Sequence, residues 1–433
     1  MAAHPIADSG VPARPPELAK FDPTPMAPSG GALARALDWL FAHPRVLFFL
    51  TRRLRWVAEL LGMYFVVRND EVREAFNHDA EFPVGWGRKM EEVTTEAGQP
   101  KSGRNFILGM KRDSDYRARY TELAKAFPLA EVGERIGLEA RTLTEGILAN
   151  LATQGREFDA VEELIHAVPS RLCESYFGVS AGNGKEFAKW TLAASSYVFG
   201  TDDSPERTAL GLDASAHLRK AIRDAIDTAR TPDRTGTVVQ RMVTNPHVYA
   251  PDQVLAQFFG MILGFVPTDV LAGGNILETL LKNPRFMERA VAAAKADDDE
   301  LLWRCLREAL RFRNINPFMW RLCGNGYTFA NGRRIPPTDE KILISNQTAM
   351  WDTERVARPH VFDPYRRDED YLVFNPGQHW CIGAYIAKAQ ITQTFKPLLR
   401  LPRLRAVDGS RGKMKRFGGI YPMNLFVTYG EAQ

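Results

Sequence analysis

Phe374-Asn375-Pro376-Gly377-Gln378-His379-Trp380-Cys381-Ile382-Gly383 sets one cysteine between two glycines, directly ahead of a helical run from Ala384 to about Lys396. A thiol at the mouth of a helix lies at the positive end of the macrodipole, which favours the thiolate. Gly377 and Gly383 allow backbone conformations and close approaches that a Cβ forbids. The predicted result is a tight loop whose N–H groups face the sulfur, with one side left open for something large and flat. Phe374 can shield that sulfur from water, and His379 can reach a nearby anionic group. A lone cysteine among apolar residues is most often just a small core side chain; the spacing of this stretch sets Cys381 apart.

Working outward, the 433-residue chain exceeds the usual domain size, so length alone suggests two or three domains unless one large cofactor organises a single core. With 45% hydrophobic and 25% charged residues, the composition is that of a soluble globular protein. A formal charge of +4 is small for this length and gives no reason to expect nucleic acid. The four cysteines, Cys173, Cys305, Cys323 and Cys381, show no CxxC spacing and fit a reduced, cytoplasmic setting. Residues 1–30 carry seven prolines and no apolar stretch of signal-peptide character, which predicts a disordered lead-in. Val46 to Leu50 is too short to span a bilayer, which takes about 20 apolar residues, and Arg52-Arg53-Leu54-Arg55 interrupts it. No membrane anchor is expected.

The cysteine loop resembles the cysteine-ligand loop of the cytochrome P-450 superfamily: Phe, two residues, Gly, one residue, Arg or His, one residue, Cys, one residue, Gly. Phe374, Gly377, His379, Cys381 and Gly383 match all five fixed positions. Two more motifs stand in the family's order. Glu308-Ala309-Leu310-Arg311 puts opposite charges at i and i+3 on one helix face and precedes the loop as the family's Glu-x-x-Arg does. Phe362-Asp363-Pro364-Tyr365-Arg366 resembles its Phe-x-Pro-x-Arg. The resemblance implies a buried Glu308–Arg311–Arg366 network that braces the approach to Cys381, where losing one member costs several kcal/mol. It also implies a mainly α fold with a smaller β region, forming a single domain over residues 31–433 and binding haem b (iron protoporphyrin IX). Cys381 would be the proximal iron ligand, its electron donation favouring O–O cleavage. His379, Arg321 and Arg119 would hold the haem propionates.

Along the chain, Met63 to Val67 reads as a strand, and Asp70 caps a helix through Val72, Ala75 and Phe76. Residues 84–104 lack periodicity and predict a loop, which in the family covers the substrate pocket. Asp113 to Phe127 reads as a helix that carries Arg119, with Arg117 beside it. Glu131 to about Asn245 predicts amphipathic helices stacked as a lid. Pro251 to Lys282 predicts a buried helix of ~45 Å. Pro267 in its middle lacks the N–H for the Leu263 carbonyl, which costs ~3 kcal/mol and predicts a kink.

The family's central helix carries a small residue, Gly, any residue, an acid, then Thr. Setting Thr268 on that Thr puts Gly264 on the small residue beside the cofactor, Phe265 on the Gly and Pro267 on the acid. The family's acid–alcohol pair delivers protons, so Thr268 is the catalytic candidate, and Asp269, about 100° further round the helix, is the substitute acid. Asn316 to Arg321 resembles the pocket-lining strand that ends in a propionate-binding Arg. Arg416 to Tyr421 sits at the family's last pocket-lining turn. Phe265, Val266, Phe318 and Ile420 would form an apolar pocket.

The resemblance implies hydroxylation or epoxidation of an apolar small molecule (fatty acid, terpenoid or steroid-like) by a cytoplasmic monomer. Dioxygen and electrons from a separate ferredoxin and ferredoxin reductase would drive it, and the basic residues from Arg400 to Lys415 could dock an acidic ferredoxin. Pro267 at the acid position raises an alternative: a peroxygenase or fatty-acid hydroperoxide isomerase that needs no electron donor. A non-catalytic haem-binding sensor of a gas or lipid is the third expectation.

Overall fold

The computed structural model describes residues 18–26, 31–95, 106–110, 114–230, 236–244, 251–377 and 380–430. Helices dominate, and the helix Pro251–Lys282 is the spine around which the others gather. Its Phe258, Phe259, Leu263, Val266, Val270, Ile276 and Leu277 are all fully buried, as expected for a helix apolar on every side. The helix runs without a break through Pro267, so the predicted kink does not interrupt it.

Small residues on this helix let neighbours approach. A Cβ on Gly260 would lie 1.9 Å from Phe106 Cγ, so the segment Phe106–Met110 lies directly across the helix at that turn. Trp86 Nε1 donates to the Leu108 carbonyl at 2.7 Å and fixes the segment from its other side. Trp86 leads into a helix at Gly87–Thr94 within the stretch predicted as loop; Met90 and Val93, one turn apart, bury its inner face. The remaining predicted loop residues, 96–104, lie outside the described residues.

The predicted lid is more deeply built in. Helix Gly184–Phe199 is capped by Asn183, whose Oδ1 accepts from the Lys185 and Glu186 N–H groups, and helix Pro205–Ala229 by Ser204. A Cβ on Gly211 would lie 2.3 Å from Tyr197 Cβ, so these two helices meet closely. Ala188, Thr191, Leu192, Ala193, Ala194 and Val198 have no exposed surface, which makes this pair part of the core. Residues 18–26 also depart from the predicted disorder: Phe21 and Met26 are buried in the core. Residues 1–17 and 27–30 lie outside the described residues.

Tyr64–Val66 pairs in parallel with Thr338–Ile344, which pairs antiparallel with Met319–Cys323. In that register Arg321 faces Ile342, and it also bridges to Val84, which holds the Arg321 backbone on two sides. Gly85 allows this: its Cβ would fall 1.9 Å from the Trp320 ring.

A buried ion cluster ties the far end of the central helix to three distant segments. Glu278 accepts from Arg416 at 2.5 Å and Lys282 at 2.6 Å and is ion-paired with Arg313 at 3.1 Å, while Asp38 pairs with both Arg313 and Arg416. Burial pushes the Glu278 carboxyl up, but Arg313, Arg416 and Lys282 outweigh it and hold it at about 2. The folded value lies below the ordinary 4.5, so the stabilisation is present above that pH and is lost as pH falls through about 2. Glu278→Gln is expected to cost about 3 kcal/mol at neutral pH. In urea denaturation the gap to the parent should narrow near pH ~3; a gap that is constant with pH would mean the cluster carries no net ionic stabilisation.

Candidate active site

Helix Ala384–Arg400 begins at Gly383, and the loop before it is closed by its own backbone. The Cys381 N–H donates to the Phe374 carbonyl at 2.9 Å and the Trp380 N–H to the Gly377 carbonyl at 3.1 Å. Gly377 has φ +61°, and a Cβ there would lie 1.9 Å from Asn77 Oδ1, so glycine is required on both counts. Asn375, also at positive φ, accepts from Asn346 Nδ2 at 2.6 Å through its side chain. Gln378 and His379 lie outside the described residues. Phe374 stacks on Trp303, with ring centroids 6.1 Å apart.

The sulfur departs from the predicted thiolate. Burial pushes the Cys381 thiol up to about 11; the Gly383 N–H pulls it down, and Asp269 adds a smaller upward push. Desolvation outweighs the dipole of the helix mouth at this sulfur. Such a thiol keeps its proton at neutral pH unless a cationic centre takes the proton's place, as a metal ion does. A Cβ on Gly383 would lie against Cys381 Sγ at 3.8 Å with nothing else within 4 Å, so this glycine leaves one side of the sulfur uncovered. A half-buried thiol with an open side suits an iron-bearing group.

The predicted acid–arginine network is present and fully buried. Arg311 grips Glu308 through Nε and Nη2, both at 2.9 Å, and Arg366 Nε donates to Glu308 Oε1 at 3.1 Å. The same guanidinium groups donate to the carbonyls of Met350, Pro359 and Val361 (Arg311) and of Ala357, Arg358 and Val361 (Arg366). The network thus pins the backbone of 357–361 as well as its own side chains. Sequence reasoning missed Tyr371, whose hydroxyl donates to Glu308 Oε2 at 2.9 Å. Burial and the Glu308 carboxylate push that hydroxyl far above its ordinary value, so it remains a donor.

On the central helix, the Thr268 hydroxyl donates to the Gly264 carbonyl at 2.6 Å and to the Phe265 carbonyl at 3.1 Å. A Cβ on Gly264 would meet only Leu108, at 3.8 Å. Asp269 is buried, and its Oδ2 has no hydrogen-bond partner. Desolvation raises its carboxyl well above the ordinary value. Its charge acts on both Cys173 and Cys381. The folded pKa lies above the unfolded one, so stability falls as pH rises from 3.8 towards that folded pKa. Asp269→Asn is therefore expected to flatten this slope and leave the protein at least as stable at neutral pH. Thermal unfolding across pH checks it; a markedly less stable variant would mean an ionised, paired carboxylate.

Arg321 is 1% exposed, lies over the Trp86 and Phe76 rings at 4.8 and 5.2 Å, and donates to the Trp320 carbonyl. Arg119 turns instead onto Asp115 at 3.1 Å, one helical turn back. Of the predicted pocket residues, Phe265 and Val266 are buried on the central helix, with Phe265 against Phe177. Ile420 is half-buried, and its carbonyl accepts from Arg416. Phe318 departs from the prediction: it packs edge-on against Phe41 and Phe65, on the side of the N-terminal helices.

Residues 277–420 match the family model for Cytochrome P450. Cytochrome P-450 monooxygenase PikC of Streptomyces venezuelae is 25% identical over 356 residues, covering 81% of each chain. A shorter stretch of 95 residues, 21% of this chain and 8% of the other, is 30% identical to the bifunctional dioxygenase–epoxy alcohol synthase of Pyricularia oryzae. The crystal structure of CalO2 superposes with a TM-score of 0.75 at 19% identity, covering 95% of this chain and 98% of that one. The single-domain helical fold and the matched family model lead to one assignment: the chain belongs to the cytochrome P450 superfamily and is a b-type haem monooxygenase.

Proposed function

We propose that this enzyme hydroxylates or epoxidises an apolar small molecule of fatty-acid, terpenoid or steroid-like class, with Cys381 as the proximal ligand of the haem iron. The observation that supports this reading is the half-buried Cys381 thiol, left open on one side by Gly383, in a loop whose Cys381 N–H is held by the Phe374 carbonyl. Bound, the haem supplies oxygen chemistry in which dioxygen, two electrons and two protons give one inserted oxygen atom and one water. Arg321 and His379 hold the propionates; Arg119 joins them only by leaving Asp115. Thr268 holds a proton at Oγ1 on the face of Gly264, and Asp269 keeps a second in reserve at its buried carboxyl. Phe265, Val266 and Ile420 form apolar walls that exclude water; Phe318 packs on Phe41 and Phe65 instead. Electrons come from a separate ferredoxin and its reductase, docking in the cytoplasm on a monomer.

A second reading is favoured by Pro267, which stands where the family has its acid, and by the partial likeness to an enzyme named as an epoxy alcohol synthase. An organic hydroperoxide arrives with its oxygen already reduced, so its O–O bond breaks without external electrons and isomerisation keeps both oxygen atoms in the product. One experiment separates the two. Purified protein is offered lipid and terpenoid substrates with dioxygen, ferredoxin, reductase and NADPH, and in parallel fatty-acid hydroperoxide alone. Product only with the full electron chain supports the first reading, and product from hydroperoxide alone the second. No product with either oxidant overturns both.

A further inference from the structure

The N-terminal helices Ala32–Phe41, Pro44–Arg53 and Arg55–Leu60 carry an apolar surface that the site does not use. Among the described residues, ten of the seventeen exposed large hydrophobic side chains fall between Leu33 and Met63. They come at helical spacing: Leu33 with Leu37, Leu50 with Leu54, and Trp56 with Leu60. Leu60 is 81% exposed and Trp56 68%, so these side chains stand clear of the body. The opposite side of the same helices is anchored by Leu47, Phe48 and Ala58, all buried. Apolar clusters of this kind on a protein surface mark a contact.

Charge identifies the partner. The stretch carries Arg35, Arg45, Arg52, Arg53 and Arg55 against two acids, Asp38 and Glu59. Both acids turn inward: Asp38 joins the Arg313–Arg416 cluster, and Glu59 accepts from Arg333 at 2.7 Å. Arg52 pairs with Glu354 at 3.0 Å and Arg55 with Glu59 at 3.5 Å, whereas Arg45 and Arg53 are exposed, Arg53 over the Phe49 ring at 5.4 Å. Beside them a cavity of about 650 Å³ is lined by Arg45, Arg53 and His360, by Arg52, which pairs with Glu354, and by the rings of Phe48 and Trp351. That combination of cations around an aromatic floor suits a phosphate group with the first part of its apolar tails.

We propose that the face formed by residues 33–63 lies on an anionic phospholipid bilayer, with Trp56 and Leu60 inserted at the interface and a lipid headgroup held between Arg45 and Arg53. Trp and Leu enter the interfacial zone while arginine heads remain at the phosphate level. A second copy of the chain is disfavoured because a two-fold contact would set the same basic face against itself. Val46 to Leu50 is too short to span a bilayer, and on this proposal it lies along the surface. The one described helix long and apolar enough to cross a membrane, Gln253–Lys282, is the buried spine. The inference is independent of which oxidant the enzyme uses.

Flotation of the full-length holoprotein with vesicles tests it. Binding is expected to vesicles of phosphatidylcholine containing phosphatidylglycerol, to be weak on phosphatidylcholine alone, and to fall with salt. Each exposed arginine reversed, Arg45→Glu or Arg53→Glu, should weaken binding about fivefold or more at low salt. Trp56→Glu with Leu60→Glu should abolish it, leaving the haem spectrum and thermal unfolding unchanged. A holoprotein that floats with neither vesicle, or that binds both equally, overturns the assignment. So does a concentration-dependent dimer that the Trp56→Glu/Leu60→Glu variant dissolves.

Discussion

Cys381→Ser is expected to erase the red-shifted carbon monoxide band of the reduced protein and to lower turnover by more than about 100-fold, the upper end for residues that only support a metal ligand. The substitution changes one atom. The loop that holds it is closed by backbone groups, Cys381 N–H to the Phe374 carbonyl and Trp380 N–H to the Gly377 carbonyl, and both survive in the variant. The serine hydroxyl fits where the half-buried thiol stood, so thermal unfolding of the haem-free protein should move little. What changes is the donor. Burial already pushes the thiol to about 11, and a cation must displace its proton to make it a ligand. A hydroxyl starts far higher and donates less charge, so the same cation cannot convert it at neutral pH. The spectrum therefore reports ligand identity separately from folding. A Cys381→Ser protein that kept the band at the parent position would show another axial donor, and the reading of Cys381 would fall with it.

Which parts of this were legible in the sequence follows from how local each signal is. The cysteine loop is local: its glycines are demanded by a positive φ at Gly377 and by the uncovered sulfur at Gly383, and both constraints act within ten residues. The strand at Tyr64–Val66 and the helix at Asn69–Asn77 are local in the same sense, as is the spine helix, although Arg68 and not Asp70 stands at the N-cap and Asp70 lies in the first turn, paired with Arg355. What spacing cannot carry is convergence from afar. Tyr371 reaches Glu308 across 63 positions, and nothing about a tyrosine in a loop announces a buried carboxylate. Trp303 stands five residues before Glu308 and reads as ordinary core, yet it stacks on Phe374. The helix at Gly87–Thr94 hid because only Met90 and Val93 of its buried face are apolar, among Gly, Lys and Glu. The proton on the thiol is hidden for a different reason: a dipole is visible in a sequence, and desolvation is not. Phe318 was placed by motif position alone, and the N-terminal helices claimed it instead.

Glu308→Gln is expected to cost about 5 kcal/mol, a large part of the ~5–15 kcal/mol that holds a domain folded. The carboxylate accepts five hydrogen bonds: two from Arg311 and one each from Arg366, Tyr371 and the Asp363 N–H. An amide keeps one oxygen and replaces the other with a donor that faces guanidinium N–H groups. Two buried arginines then lose their counter-charge, and breaking a buried pair from one side leaves that charge uncompensated. The damage should travel in a definite direction. Arg311 and Arg366 hold the carbonyls of Pro359, Val361, Ala357 and Arg358, and the chain runs from there to Leu372, whose carbonyl and N–H are held by Asn346 and Met350. Two residues further on is Phe374, which closes the cysteine loop. Tyr371→Phe removes one neutral donor and leaves the charges balanced, so about 2 kcal/mol is expected there. Combined with Glu308→Gln it should add less than its own cost, because both act on one carboxylate. Urea denaturation of the two single variants and the double variant gives the three numbers, and haem content of the purified proteins gives the structural consequence. If Glu308→Gln fell within about 1 kcal/mol of the parent and kept full haem, the network would be a bystander. The segment from Ala357 to Phe374 would then owe its position to packing alone.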